Sequence, residues 1–146
     1  MSRGLAVVLT AAVGGLIAMQ APINSKLGKA IGTSQAAAVS FLVGTVLLLA
    51  IAFVAGGFGR LGEVRHLSLV YLLGGILGAA YVTCVLVTVR TLGAGGVTAA
   101  TIAGQLTMAV IVDQLGILGV TRQPITALRV LGIAFLAVGV YFVVRD

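Results

Sequence analysis

Charge is what this chain has least of. Its 146 residues hold three acids, Glu63, Asp113 and Asp146, against nine Lys and Arg, and charged residues make up 8%. A soluble domain carries roughly 25%, which excludes a soluble fold. So few acids leave no paired carboxylates for acid–base work, and no activated nucleophile accompanies them, so the chain is not read as an enzyme. There is one cysteine, Cys84, and one histidine, His66. That excludes a disulfide framework and a metal set, and no cofactor is implied. Cys84 lies in an apolar run and reads as a small packing residue. His66, beside Arg65 at the edge of a segment, reads as solvated.

What is present is hydrophobicity. Apolar residues reach 60% and the mean hydropathy is +1.24, the signature of an integral membrane protein whose first partner is the lipid bilayer. The formal charge of +6 sits between apolar runs, which places the cations at the membrane surface and not on nucleic acid. Charges and turn residues divide the chain into five segments at about 4–25, 35–54, 67–89, 97–116 and 125–144. Each is long enough to cross a bilayer as a helix, the fifth only if Arg129 lies within it and snorkels. The expected fold is a single all-α, five-helix transmembrane domain over residues 1–146. Met1-Ser2-Arg3 before an apolar run resembles a secretory signal, but no small-x-small cleavage site follows, so it reads as an uncleaved first helix. Ser34 is the expected N-cap of the second helix. Thr91 to Gly96 forms the turn before the fourth.

The first segment organises the rest. Pro22 cannot donate to the Ala18 carbonyl, and its ring presses on that carbonyl, so a helix break is expected there. Gln20 and Asn24, four residues apart, project from one face beside it. Interrupted helices with polar groups at the break build substrate sites in secondary transporters. A kinked packing helix with amides bonded to neighbours has the same pattern, and both readings stand. On the third segment Gly74, Gly78, Tyr81, Cys84 and Thr88 follow helical spacing, with Gly74-x-x-x-Gly78 a small-residue packing motif. Gly44, Gly132 and Gly139 are further packing glycines. On the fourth, Thr98, Thr101 and Gln105 share a face. Asp113, near its far end, reads either as a coupling group or as an ion-pair partner of Arg122 or Arg129. Proximity to both arginines, and the ~3 kcal/mol cost of a central acid, favour the pair.

Five spans put the termini on opposite sides. Arg3, Arg60, Arg65, Arg122 and Arg129 then share one side, and Lys26, Lys29, Arg90 and Arg145 the other. That near-balance gives almost no positive-inside signal. A chain without one inserts both ways, and two opposite copies make an antiparallel, inverted-topology ten-helix dimer.

Several stretches in order carry a family resemblance. They are Gln20-Ala21-Pro22-Ile23-Asn24 with Leu27-Gly28; Ser40-Phe41 with Gly44-Thr45; Gly74-Gly75, Gly78-Ala79 and Tyr81-Val82; Gly104-Gln105-Leu106 with Asp113 and Gly116; and Arg129, Gly132 and Gly139. Across essentially its whole length the chain resembles the YdcZ family of the drug/metabolite transporter superfamily. The resemblance implies an all-helical transporter fold related to ten-helix members, formed from single, paired or fused genes. It implies no substrate.

The leading expectation is a secondary transporter or facilitator of an unidentified small molecule. It would work by alternating access as an antiparallel homodimer, or a heterodimer with a paralogue, in a bacterial inner membrane. Gln20, Asn24, Tyr81, Thr101 and Gln105 are the expected substrate-binding residues. A dual-topology ion channel is the alternative, distinguished by conductance above carrier turnover; a non-transporting assembly partner would show neither flux nor ligand stabilisation. Reporters fused at the carboxyl terminus, one active only inside the cell and one only outside, are both expected to signal. Two lysines added to one side should collapse the population to a single orientation; signal from only one reporter in the unmodified chain refutes dual insertion.

Overall fold

The computed structural model describes residues Ser2 to Arg145, apart from the Arg60 side chain, so the Arg60 charge counted above lies outside the described residues. The chain is an all-α, multi-span helical protein. Helix α1 is Arg3–Ile31 and α2 is Thr33–Val54. Two 3-10 stretches, Gly57–His66 and Leu69–Leu72, lead into α3, Leu73–Leu115, and α4 is Ala127–Arg145. Among the described residues, four helical stretches are long and apolar enough to cross a membrane: Arg3–Ile31, Thr33–Val54, Leu69–Leu115 and Ala127–Arg145. The third holds 47 residues, about 70 Å if straight, against a hydrocarbon thickness of about 30 Å. It is not straight. Gly93, at φ 67° and ψ 172°, is non-helical and divides α3 into arms 73–92 and 94–115.

Two sequence boundaries need correcting. The expected turn from Thr91 to Gly96 is Gly93 alone, and the gap between the first two expected segments, residues 26–34, is Gly32 alone, since α1 runs to Ile31 and Thr33 is already helical. Ser34 is therefore not the N-cap of α2. That place belongs to Gly32 (φ 96°, ψ 148°), which offers no side-chain cap. The physical reason is that one glycine whose backbone enters the left-handed half of dihedral space is enough to end one helix and start the next. The third segment also starts later than its apolar run, since residues 69–72 wind as a 3-10 turn before the α-helix begins.

The chain falls into two compact units, Met1–Arg90 and Thr91–Asp146. In the first, Ala36 and Ala37 of α2 and Val82 and Leu86 of the 73–92 arm form the buried core, with Leu27 and Tyr81 packed against it. Alanines at the centre let the helices approach closely, as small residues do in membranes. Gly78 serves the same end, its Cα facing the Phe41 ring, where an added Cβ would sit 3.5 Å away. In the second unit, Gly95 and Gly96 lie against Val143 and Val144, while Asp113 meets Arg129. The start of one helix against the end of the other defines an antiparallel pair. Gly44, Gly74, Gly132 and Gly139, also expected to pack, have no neighbouring side chain within 4 Å of a built Cβ.

Gly32→Ala forces a β-carbon onto a backbone that only glycine readily adopts and drives it into the Gln35 amide. The expected loss is ~1–3 kcal/mol, read from denaturant unfolding in micelles. Gly14→Ala, with open space at its Cβ, should be neutral or slightly stabilising.

Candidate functional site

Gln20 and Asn24 stand one turn apart on α1, and the 73–92 arm sets Tyr81 against the same side. With Ile17, Ala21, Val82, Val85 and Leu86 they line a shallow, partly open cleft. Gln20 and Ile17 are exposed, so the cleft is open where they stand. A 30 Å slab centred on α1 spans about residues 7–27, which puts all three polar side chains at hydrocarbon depth. Asn24 is buried and its Nδ2 donates to Ser40 Oγ of α2 at 2.9 Å. Among the described residues no hydrogen bond engages the Gln20 amide or the Tyr81 hydroxyl. Of the expected binding residues, Gln20, Asn24 and Tyr81 therefore share one cleft. Thr101, half-buried, and Gln105, exposed, lie on the 94–115 arm of the other unit.

Pro22 sits inside α1, which runs unbroken from Arg3 to Ile31. The expected helix break is thus no interruption. A proline's fixed φ of about −65° is itself helical, and it removes a single backbone hydrogen bond, the one to the Ala18 carbonyl, two residues before Gln20.

Directly beyond the cleft is a clasp that the sequence reading missed. The buried Ser25 hydroxyl donates to the Leu86 carbonyl and accepts from Arg90 Nε, each at 3.3 Å. Arg90 Nη2 donates onward to Thr33 Oγ1 at 3.2 Å. Gly28 is small because Arg90 lies over it: a Cβ there would fall 3.1 Å from Nη2. One side chain so ties α1, α2 and the 73–92 arm. The only signal in the sequence was that Arg90 and the end of the first segment fall on the same side of the membrane.

In the second unit Asp113 Oδ2 is 3.1 Å from Arg129 Nη1, with both side chains about a third exposed. Arg129 also donates to the Gln123 side chain. Arg122 does not reach the acid; its Nε donates to the Gln114 carbonyl at 3.0 Å. Gln114 Oε1 in turn accepts from the Ile125 amide at 2.7 Å. The acid thus belongs to a network that closes the 116–126 connection, with Gly116 packed so tightly that a Cβ would lie 2.9 Å from Arg122 Cβ. If that pairing is the acid's role, Asp113→Asn lowers stability by ~1 kcal/mol or more and leaves the pH dependence of flux intact. Arg129→Gln should cost a similar amount, with the double variant less than additive. A folded Asp113→Asn protein without proton coupling would assign the acid to coupling instead.

Among the described residues no group of three or more His, Cys, Asp or Glu could hold a metal ion. No curated protein and no solved structure matches the chain. The family model DMT_YdcZ, described as "Putative inner membrane exporter, YdcZ", matches residues 5–142. Helices of membrane-crossing length, a polar cleft at hydrocarbon depth and a match over nearly the whole chain agree: the protein belongs to the YdcZ family of the drug/metabolite transporter superfamily.

Proposed function

We propose that this protein is a secondary transporter or facilitator of a small molecule in the inner membrane of a bacterium. It works by alternating access as an antiparallel, dual-topology dimer. The observation that carries the reading is the pair of unpartnered polar groups, Gln20 and Tyr81, lining a cleft at hydrocarbon depth. A polar group kept from water without a partner costs roughly 1–3 kcal/mol, and polar groups inside a membrane serve a pathway or a ligand. Asn24, tethered to Ser40, would fix the geometry of the pair. The freed Ala18 carbonyl adds an acceptor on the same helix.

Three features support a second copy. The cleft encloses about 10 Å³, room for about one water molecule and far below the roughly 300–1,000 Å³ of ordinary ligand sites, as one part of a larger site would. The Gln20 amide is exposed where lipid would otherwise lie. Gly44, Gly74, Gly132 and Gly139 offer small, uncovered helix surface, the kind that receives another helix. Both arms of α3 would cross the membrane, giving five spans per chain and ten per dimer. A paralogue could take the place of the second copy with the same geometry.

A thermal-shift screen of the purified dimer supplies the ligand. At a hundredfold excess over Kd, a compound binding only the folded state adds ~2.7 kcal/mol of apparent stability. Gln20→Leu or Gln105→Leu should abolish that shift and the corresponding liposome flux while cross-linked dimer still forms. Gly74→Leu should act in reverse, lowering dimer yield first. Wild-type flux in the Gln20→Leu/Gln105→Leu double variant would refute the site.

A further inference from the structure

We propose that Lys26, Lys29 and Arg90, with the Thr33 hydroxyl at the start of α2, bind the phosphate of an anionic phospholipid headgroup. The site lies one to two turns beyond the cleft and does not depend on the transport reading. Its position follows from α1. At 29 residues the helix is about 43 Å long, so it outruns the hydrocarbon, with Lys26 at the edge of the slab and Lys29 beyond it. Arg90 is held at the same level by Ser25 and Thr33.

The electrostatics there are one-sided. Lys26, Lys29 and Arg90 have no acidic partner among the described residues. The single acid between residues 1 and 90, Glu63, lies past the other end of α2, a helix of 22 residues and so about 33 Å long. Arg90 reaches Thr33, the first residue of α2, and Lys29 lies just before it in sequence. A helix start carries partial positive charge, and here Gly32 gives no side-chain cap. Lys29 stands in the last turn of α1 and Arg90 near the end of the 73–92 arm, where a helix end offers about half a negative charge, so three full positive charges stay mostly unbalanced until an anion joins them. At headgroup depth the abundant anion is lipid phosphate, and basic pockets of this kind between membrane helices hold acidic headgroups. The surface one turn deeper suits the acyl chains. Ile23, below Lys26, is 61% exposed, and Val87, below Arg90, is 53% exposed. Phosphate above and chain below fit one lipid.

The test uses the full chain in nanodiscs of phosphatidylcholine and phosphatidylglycerol, with co-purifying lipid counted by native mass spectrometry. Phosphatidylglycerol should be retained in preference to phosphatidylcholine. Because Arg90 also clasps the fold, the informative variant is Lys26→Gln/Lys29→Gln, whose side chains hold no other element. It should lower the preference about 30-fold, roughly fivefold per cation removed, while Lys26→Arg/Lys29→Arg keeps it. Arg3→Gln/Arg65→Gln removes the same charge from the opposite side and should leave the preference in place. Millimolar inorganic phosphate should neither displace the retained lipid nor stabilise the protein in its stead. Equal retention of the two lipids, an unchanged preference in the Lys26→Gln/Lys29→Gln variant, an equal loss in the Arg3→Gln/Arg65→Gln control, or free phosphate acting as well as lipid would overturn the assignment.

Discussion

The constraint on which the structure depends is the need to satisfy polar groups where there is no water. Ser25 answers it most economically. Its hydroxyl lies between a carbonyl of the 73–92 arm and the Arg90 guanidinium, which reaches across to Thr33 of α2. Three helices that meet through a small core of Ala36, Ala37, Val82 and Leu86 are thereby held at one end. Gly28 beneath Arg90, Ala36 and Ala37 beneath Leu86, and the single-residue joint at Gly32 all permit the close approach that lets a serine reach a neighbouring backbone. Dispersion between small residues sets the separation of the helices, and the hydroxyl–guanidinium clasp fixes their register.

The same constraint explains what was legible in the sequence. Helix existence was, because 60% apolar content and widely spaced charges leave few other solutions. Joints were not. Thr91-Leu92-Gly93-Ala94-Gly95-Gly96 has the composition of a soluble loop, yet only Gly93 leaves the helix; Gly95 and Gly96 instead lie against Val143 and Val144. Composition reads glycine as flexibility, whereas in a membrane it is as often thinness. Pro22 misled in the same direction. Its sequence signal is strong, but a proline removes one bond and keeps a helical φ, so α1 continues through it.

Of the candidate site, the part written along a single helix was readable. Gln20 and Asn24 at a spacing of four had to share a face, and Tyr81 lay on a small-residue stripe with room beside it. The partners across helices could not be read that way. Ser40 lies 16 positions from Asn24, and Arg90 lies 65 from Ser25 and 57 from Thr33. No periodicity connects such residues. Asp113 sits between these cases: charge counting placed two arginines near it, and only the geometry of the 116–126 connection selects Arg129 over Arg122.

The contrast between the two polar systems bears on how the proposed transporter could move. Asp113 is locked: its carboxylate is paired to Arg129, which also engages Gln123, and the neighbouring Gln114 holds both Arg122 and the Ile125 amide. Opening that network would break several charge-assisted bonds at once, so it suits a fixed connection. The cleft of the first unit is loosely held by comparison. Asn24 has one bond to Ser40, while Gln20 and Tyr81 have none among the described residues. Groups without internal partners are free to exchange a ligand for one another or for water at little cost, which a carrier requires of its binding residues on every cycle. The clasp is intermediate, with two bonds of 3.2–3.3 Å from the exposed Arg90 side chain and one of 3.3 Å from the buried Ser25 hydroxyl to the Leu86 carbonyl. If alternating access opens the cleft toward that end, those are the bonds with the least to lose, and Leu86, at once cleft wall and acceptor for Ser25, is the residue through which opening would reach the site.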